Sequence, residues 1–378
     1  MIIRGWKCFF VVLGVLFCAG VQGAFLLSSE AVQLTDQVSH SVWQADVPLG
    51  KEVDQIGLHQ LTPLEPLDPV LLYLPGTNMN GEPSIVDERH NLLMYLTNRG
   101  ITTYAMNYRT AAIPADYDGD LKFMRDWNFD LFVQDAVLAL NFIKRRHPNQ
   151  PVFVAGFSRG ASYAYALTGQ VPAAGLVVLD GSFKGFREVE FDRQSALRKL
   201  DAEGQYASIL SKRRGWANRQ ALMAQVTNDV AGPAMDPKYE TIGEQLKQTL
   251  YHAWGPGALT NPVDGMSDVR ILAQLMLGYD RFFPLIQDVD GAEIKHLKNA
   301  STPLDDHFGK LNLPLIYFGA TNLGADHVLN GVYSAGNAGA SKVELHVLEN
   351  YGHLDVIIGT HAVNDVFAVV HRWIQAAR

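Results

Sequence analysis

Residues 152–167, VFVAGFSRGASYAYAL, give the strongest indication of the fold. The residues before the first glycine are apolar and rich in Val and Phe, which is typical of a buried strand, and the Ala-rich residues after Gly160 favour a helix. The pattern Gly-x-Ser-x-Gly between them predicts a sharp turn with Ser158 at its tip. Such a turn strains the backbone of its central residue, which only close neighbours without side chains permit, so Gly156 and Gly160 flank Ser158 for steric reasons.

The hydroxyl of Ser158 is expected at the N-terminus of the helix that follows. There the free N–H of Arg159 and the helix dipole can stabilise an oxyanion, so Ser158 is predicted to be a nucleophile. On this strand, turn and helix, with a suitable histidine downstream, the sequence resembles the α/β-hydrolase superfamily over essentially the whole chain after its N-terminal leader. The resemblance implies an α/β fold with a mostly parallel central sheet flanked by helices.

Composition excludes several classes of function. The chain has 378 residues, of which 48% are hydrophobic and 19% charged, as expected of a well-packed globular protein. The formal net charge of -8 gives no basic surface for nucleic acid. There is no Cys/His spacing typical of zinc and no dinucleotide fingerprint after a strand, so we expect neither a metal nor a cofactor.

Residues 1–23 have the pattern of a signal peptide. A basic start precedes an apolar run of about a dozen residues, and small residues precede a cut after Gly23. A secreted or periplasmic protein is therefore predicted, with no stable membrane anchor after cleavage; a permanent anchor, and a lipoprotein processed at Cys18, are the open alternatives. Both cysteines, Cys8 and Cys18, lie in this leader, so the mature chain would form no disulfide.

The order of elements predicts a catalytic core interrupted by an insertion. Residues 24–185 and 309–378 form the core, and residues 186–308, where the alternation of strands and helices stops, form a large and mainly helical cap. The apolar cluster at residues 279–286 either walls a pocket or fills the core of the cap. Strands are predicted within 25–43 and at 56–61, 70–74, 101–108, 152–157, 176–180, 313–319 and 343–348; helices are predicted at 89–99, 129–146, 194–210, 218–230, 244–253, 269–277 and 362–377.

A Gly/Asn-rich loop at residues 75–81 follows the strand at 70–74. The superfamily carries at this place a loop, often His-Gly, that supplies the second oxyanion donor. The resemblance therefore implies that the N–H of Thr77, or failing it that of Asn78, joins the N–H of Arg159 in the oxyanion hole. Pro75 stands where His is usual, which leaves donation from the backbone open.

A serine hydroxyl needs a base within hydrogen-bond reach, and His353 is the predicted base. It lies in the loop Tyr-Gly-His-Leu-Asp just after the last predicted strand, and this loop looks like the histidine loop of acid lipases and many esterases. The superfamily order of nucleophile, acid and histidine also places the histidine here. His346 lies inside a strand and His361 begins a helix, so both are interpreted as structural.

The third member of the triad must be a group that binds Nδ1–H of the histidine. In the usual superfamily pattern it follows the strand before the histidine strand, where the first available carboxylate is Asp326. Asp180, at the end of the strand after the nucleophile helix, is the alternative that some members use, and Asn322 occupies the position where an Asp is typical. The preferred catalytic set is Ser158, His353 and Asp326.

These residues predict an exported serine hydrolase that cleaves carboxylic esters through an acyl-enzyme. Hydrolysis of amide, peptide or thioester bonds and acyl transfer would need the same residues and stay open. A non-catalytic binding protein on a hydrolase fold is the alternative of another class. The apolar character of the cap favours a small-molecule, lipid-like or aromatic ester as substrate.

Overall fold

The computed structural model of the chain describes residues 24–47, 54–254, 267–297 and 302–377. The predicted leader, residues 1–23, lies outside the described residues. Within them, no helix is both long enough and apolar enough to cross a bilayer.

A nine-stranded sheet forms the centre of the fold, in the order β1-β2-β3-β5-β4-β6-β7-β10-β11. The first three strands pair antiparallel, as does β3 with β5, and all the remaining pairs are parallel. The strands of this sheet are β1 (Leu26–Thr35), β2 (Val38–Asp46), β3 (Gln55–Pro63), β4 (Val70–Leu74), β5 (Thr102–Asn107), β6 (Val152–Phe157), β7 (Leu176–Leu179), β10 (Pro314–Ala320) and β11 (Lys342–Leu348). The antiparallel edge and the parallel centre predicted from the sequence are confirmed.

Helices cover both faces of the sheet, so the central strands are buried on both sides. In β4, Leu72 belongs to the apolar cluster that includes residues of the helices at 129–146 and 159–170, whereas Leu71 belongs to the cluster that includes residues of the helices at 92–97 and 368–377. Successive side chains of a strand point to opposite faces, which is why this strand is apolar throughout. The helices outside the insertion are α1 (Leu92–Thr97), α2 (Phe129–Arg146), α3 (Arg159–Gln170), α9 (Ala325–Asn337), α10 (Asp355–Ile358) and α11 (Ala368–Ala377), the last preceded by a π-helical turn, Val363–Phe367.

Between β7 and β10 the described chain is mainly helical. Within it, two short strands, β8 (Ala207–Ile209) and β9 (Phe282–Pro284), pair antiparallel. The helices of this insertion are α4 (Arg193–Glu203), α5 (Arg213–Asn228), α6 (Ile242–Trp254), α7 (Val269–Leu277) and α8 (Ile286–His296).

The insertion differs from the sequence-based expectation in several elements, since helix α8 and the strands β8 and β9 were not predicted. A single helix was predicted over 194–210, but α4 ends at Gly204, whose φ of 63° is left-handed, and the chain continues into β8. Glycine adopts this conformation without a steric cost and commonly ends helices. In the cluster at 279–286, Phe282 and Phe283 are 1% and 5% exposed. Neither lines the cavity beside Ser158, and Phe282 belongs to the main hydrophobic core, where its ring packs against Tyr117 with centroids 6.4 Å apart.

Candidate active site

Ser158 lies at the turn between β6 and α3. Its φ and ψ of 55° and -120° are a strained conformation for a residue with a side chain. The turn is held by a hydrogen bond of 3.0 Å from the Ser158 N–H to the Leu179 carbonyl of the neighbouring strand. The predicted strand, sharp turn and helix are therefore present, and Ser158 is half-buried at the N-terminus of α3.

The glycines around Ser158 are required because the backbone segments approach closely. A Cβ on Gly156 would lie 2.3 Å from the carbonyl oxygen of Gly160, and a Cβ on Gly160 would lie 2.0 Å from that of Leu74. Real Cβ atoms do not come so near to backbone oxygens, so a side chain at either position would push β6, α3 and β4 apart. In the loop after β4, a Cβ on Gly76 would lie 3.1 Å from Cβ of Ser158, which places that loop directly against Ser158.

Asp180 is the carboxylate that contacts the predicted base. It directly follows β7 and is fully buried. Its Oδ2 accepts a hydrogen bond of 2.5 Å from Nδ1 of His353, and its Oδ1 accepts bonds of 2.9 Å from Nε2 of His327 and 2.8 Å from the Ala320 N–H. A buried carboxylate with three donors is fixed in position and fully hydrogen-bonded.

These contacts keep Asp180 ionised. Burial alone would raise the pKa of this carboxyl, but the hydrogen bonds and positive charge that His327 and His353 provide outweigh burial and lower the pKa to about 2. An ionised carboxylate on Nδ1 of a histidine fixes its tautomer and stabilises its protonated form.

His353 contacts the residue that precedes Ser158. Its ring stacks on Phe157, the residue before Ser158, with ring centroids 4.6 Å apart and an angle of 29° between the planes. Nδ1 is bonded to Asp180, so Nε2 is the ring nitrogen left to act on Ser158. In the described part of the chain Ser158 Oγ makes no hydrogen bond to this ring. Such bonds are often long in the absence of substrate and tighten when it binds.

The preference for Asp326 as the acid is wrong, because its side chain points away from His353. Asp326 lies in the first turn of α9 and pairs with Arg187 at 3.2 Å, with the two side chains 63% and 65% exposed. Asn322, the other alternative, donates its side-chain N–H to the Asn350 carbonyl instead. Of the three candidates, the structure brings only Asp180 to the histidine.

His327 is a residue of the site that the sequence analysis missed. It follows Asp326 directly, and adjacent positions on a helix differ by about 100° in direction, so one side chain faces solvent and the next faces the sheet. A histidine immediately after the expected acid position was the available signal. The two histidines now lie on either side of one carboxylate, with ring centroids 5.9 Å apart.

The loop at residues 75–81 is bound to the insertion. Asn78, at a φ of 59°, donates its side-chain N–H to the Asp280 carbonyl at 2.9 Å and accepts the Asp280 N–H at 2.7 Å, while Asn80 donates to the Asp280 carboxylate at 2.9 Å. Thr77, between these contacts and Ser158, lines the same cavity as Ser158. Within the described residues the N–H groups of Thr77 and Arg159 have no acceptor, so both are available as donors.

A cavity of about 280 Å³ adjoins Ser158 between α3 and α8. Its lining is largely polar, unlike the apolar pocket that the composition of the insertion suggested. The polar side chains that line it include Thr77, Ser158, Arg159, Ser182, Lys295 and His327.

Asp180, His327 and His353 are also a donor set that a metal ion could contact, with one atom of each lying within 4.8 Å of the others. The separations of 2.5 and 2.9 Å between carboxylate oxygen and ring nitrogen are hydrogen-bond distances. Two ligands bound to one ion at about 2.1 Å lie about 3 Å or more apart. The three side chains would therefore have to separate to hold an ion.

Comparisons with known proteins agree with this geometry. The family described as serine aminopeptidase S33 matches residues 85–212, about a third of the chain, which include Ser158 and Asp180 but not His353. No curated protein sequence matches.

Among solved structures, a protein of Sulfolobus solfataricus provisionally described as a lipase is 22% identical with a TM-score of 0.75, covering 94% of this chain and 99% of its own. A peroxisomal α/β-hydrolase of Saccharomyces cerevisiae is 9% identical with a TM-score of 0.50, covering 90% of this chain and 91% of its own. The sheet order, the strained serine turn and these comparisons together show that the chain has the α/β-hydrolase fold.

Proposed function

We propose that the chain is a serine hydrolase that cleaves carboxylic esters through an acyl-enzyme, with Ser158, His353 and Asp180 as its triad. The observation that carries the proposal is the position of His353, which stacks on the neighbour of Ser158 and is hydrogen-bonded to a buried, ionised carboxylate. In this proposal residues 186–308 form a cap over the site, and residues 24–185 and 309–378 form the catalytic core.

In the first half of the reaction Ser158 Oγ attacks the ester carbonyl carbon while Nε2 of His353 takes its proton. Asp180 stabilises the positive ring that results. The negative charge that develops on the carbonyl oxygen is bound by the N–H groups of Arg159 and Thr77, which lie at the start of α3 and in the loop against Ser158. Collapse of the intermediate transfers the proton from His353 to the leaving alcohol and leaves the acyl group on Ser158.

In the second half His353 removes a proton from water, which attacks the acyl-enzyme, and the same two N–H groups bind the second oxyanion. Release of the acid returns the proton to Ser158. An alcohol in place of water would give acyl transfer by the same steps, so the two reactions differ only in the acceptor.

Peptide hydrolysis is the second candidate, because the matching family is described as serine aminopeptidase. An aminopeptidase has to bind the free ammonium group of its substrate next to the nucleophile. The cavity beside Ser158 contains Lys295, whose ammonium group makes no ion pair with the described residues, and a further positive charge would be repelled there. This charge distribution favours esters without an ammonium group over peptides with a free N-terminus.

Export is part of the proposal and rests on the pattern of residues 1–23. N-terminal sequencing of the protein recovered from outside the cytoplasm tests it. We expect a mature chain that begins at Ala24; an intact N-terminus on membrane-bound protein would favour an anchor, and a chain that begins with lipid-modified Cys18 would favour a lipoprotein.

Steady-state hydrolysis of 4-nitrophenyl esters and of matched peptide 4-nitroanilides tests the activity. We expect the esters to be cleaved with a higher kcat/KM, and we expect Ser158→Ala to lower kcat by at least about 10⁴-fold while the protein stays folded. Cleavage of the anilides without any cleavage of the esters would contradict the proposal that the substrate is an ester. Undiminished turnover in Ser158→Ala would overturn the mechanism.

A further inference from the structure

Helix α8 presents one face to the cavity beside Ser158. Gly291 and Lys295, four positions apart on this helix, line the cavity, and Asp288 precedes them by one turn. The opposite wall belongs to α3, which begins with Arg159. Any part of a substrate that extends from Ser158 between the two helices meets the charged groups of Arg159 and Lys295, both of which line the cavity.

The charge of Arg159 is already compensated. Its guanidinium Nη2 donates to Oδ1 of Asp288 at 2.9 Å. It lies directly on the backbone of α8, because a Cβ on Gly291 would come within 2.1 Å of Nη1 of Arg159. The glycine thus gives the guanidinium its space, and the ion pair holds it there.

Lys295 has no such compensation. Its side chain is half-buried, and in the described part of the chain its ammonium group makes no ion pair or hydrogen bond. Burial and the nearby charge of Arg159 both lower the pKa of Lys295, and the carboxylate of Asp326 offsets them only in part. The nearby carboxylates are engaged elsewhere, since Asp288 pairs with Arg159 and Asp326 pairs with Arg187. Asp180, which also lines the cavity, is bonded to two histidines.

Among the described residues, one positive charge in the cavity therefore has no carboxylate in direct contact with it, and removing a cation from water without such a partner is costly. A carboxylate on the substrate would supply that partner and would accept hydrogen bonds from the ammonium group. The hydroxyl of Ser182 lines the same cavity and can add a neutral donor.

We propose that the cavity between α3 and α8 binds a carboxylate group of the substrate, with Lys295 as its counter-ion. The enzyme's preferred substrates are then anionic esters, such as half-esters of dicarboxylic acids, rather than neutral lipid-like esters. This inference rests on the proposed ester hydrolysis, because the carboxylate must belong to a molecule whose carbonyl lies at Ser158. Whether it is part of the acyl or of the alcohol group is decided by the substrates below.

Two matched pairs of esters test the inference. For the acyl side, mono-4-nitrophenyl glutarate is compared with 4-nitrophenyl pentanoate; for the alcohol side, 4-carboxyphenyl acetate is compared with 4-carbamoylphenyl acetate. We measure kcat/KM for the wild type, Lys295→Gln, Lys295→Arg and the control Lys199→Gln. Lys199 lies on α4 with its side chain 78% exposed and does not line the cavity, so its replacement removes the same charge elsewhere in the insertion.

We expect the wild type to prefer the anionic ester of one pair by about ten- to a hundredfold, which is the usual effect of a hydrogen bond to a charged group. Lys295→Gln should lose this preference while keeping activity on the neutral ester. Lys295→Arg should keep most of the preference, and Lys199→Gln should keep all of it. The Lys295 backbone carbonyl, which accepts the Gly185 N–H at 2.8 Å, is untouched by these changes.

Two outcomes overturn the inference and separate it from the proposed function. Equal kcat/KM within both pairs, or a preference that survives in Lys295→Gln, refutes the carboxylate site while ester hydrolysis stands. Failure of the wild type to cleave any of the four esters, together with no labelling of Ser158 by a fluorophosphonate, refutes both. If Lys295→Gln does not fold, the wild-type preference and its retention in Lys295→Arg decide the question.

Discussion

Replacement of Asp180 by Asn keeps the size of a fully buried side chain and removes its charge. The carboxylate accepts hydrogen bonds from the Ala320 N–H and from two histidine rings, one of them through Nδ1 of His353 at 2.5 Å. An amide would direct an N–H group at one of these donors, so that His353 would lose its bond or adopt the other tautomer. The protonated ring that forms during the reaction would lose its counter-ion.

The expected fall in kcat follows from two energies. At an effective dielectric constant of about 20, unit charges about 4 Å apart attract by about 4 kcal/mol. The pKa of about 2, against an ordinary 3.8, gives about 2.5 kcal/mol for the preference of Asp180 for its ionised form. These energies correspond to a fall in kcat of about 10²- to 10³-fold, with KM less affected because two histidines already occupy the two oxygens of this carboxylate.

The assay is steady-state hydrolysis of a 4-nitrophenyl ester, with circular dichroism and thermal unfolding to confirm that each variant is folded. Asp326→Asn is the matched control, because it removes the same charge from a largely exposed pair with Arg187. Exposed ion pairs contribute about 0–1 kcal/mol, so its kcat should stay within about twofold of the wild type. A large loss in Asp326→Asn, with more than a tenth of the activity left in Asp180→Asn, would refute the assignment of the acid.

Three further changes have defined outcomes. Gly160→Ala would place a Cβ 2.0 Å from the Leu74 carbonyl oxygen, so denaturant titrations should show a free energy of unfolding that is lower by about 1–3 kcal/mol or more. The control Gly336→Ala, whose Cβ would have nothing within 4 Å, should not lower it. Equal effects of the two changes would contradict the steric argument. Burial raises the pKa of Asp280 from 3.8 to about 7, so this carboxyl loses its proton at lower pH in the unfolded chain than in the folded one. The free energy of unfolding should therefore fall by up to about 4 kcal/mol as pH rises from about 4 to 7. Asp280→Asn should remove this dependence on pH, and an unchanged dependence would show that Asp280 does not cause it. His327→Gln should lower kcat by about tenfold, less than replacement of the catalytic histidine; a complete loss would indicate that this ring is itself the base.

The parts of the fold that sequence reasoning predicted correctly are those fixed by neighbouring residues. The turn at Ser158 needs an apolar strand, two glycines and a helix-forming segment, and all of these lie within residues 152–167. The strands that are buried on both faces, such as β4, are apolar without interruption and are recognised for the same reason.

The acid could not be chosen from the sequence because its position depends on the order of the strands and on the rotation of a helix. Asp180 reaches the histidine because β7 pairs with β10, with Leu179 opposite Phe318, and this pairing joins segments 139 positions apart. Asp326 faces solvent because of the direction in which α9 leaves its preceding turn. The spacing of residues along the chain shows neither the order of the strands nor the direction of the helix.

The polar lining of the cavity also could not be predicted from composition. The apolar residues of the insertion suggested a lipid-like pocket, but Phe282 and Phe283 are buried and do not line the cavity beside Ser158. Which side chains face Ser158 depends on how α8 is rotated against α3. That rotation directs Lys295 into the cavity, and no local pattern around this lysine distinguishes it from an ordinary surface lysine.

The most direct test of the proposed mechanism is covalent labelling of the folded protein with a fluorophosphonate, followed by mass spectrometry of the intact chain and of its peptides. We expect one adduct per chain on Ser158, no adduct in Ser158→Ala, and labelling at least about a hundredfold slower in His353→Ala because the hydroxyl lacks its base. No adduct on folded wild-type protein, or labelling of Ser158 at the same rate without His353, would contradict the proposed mechanism.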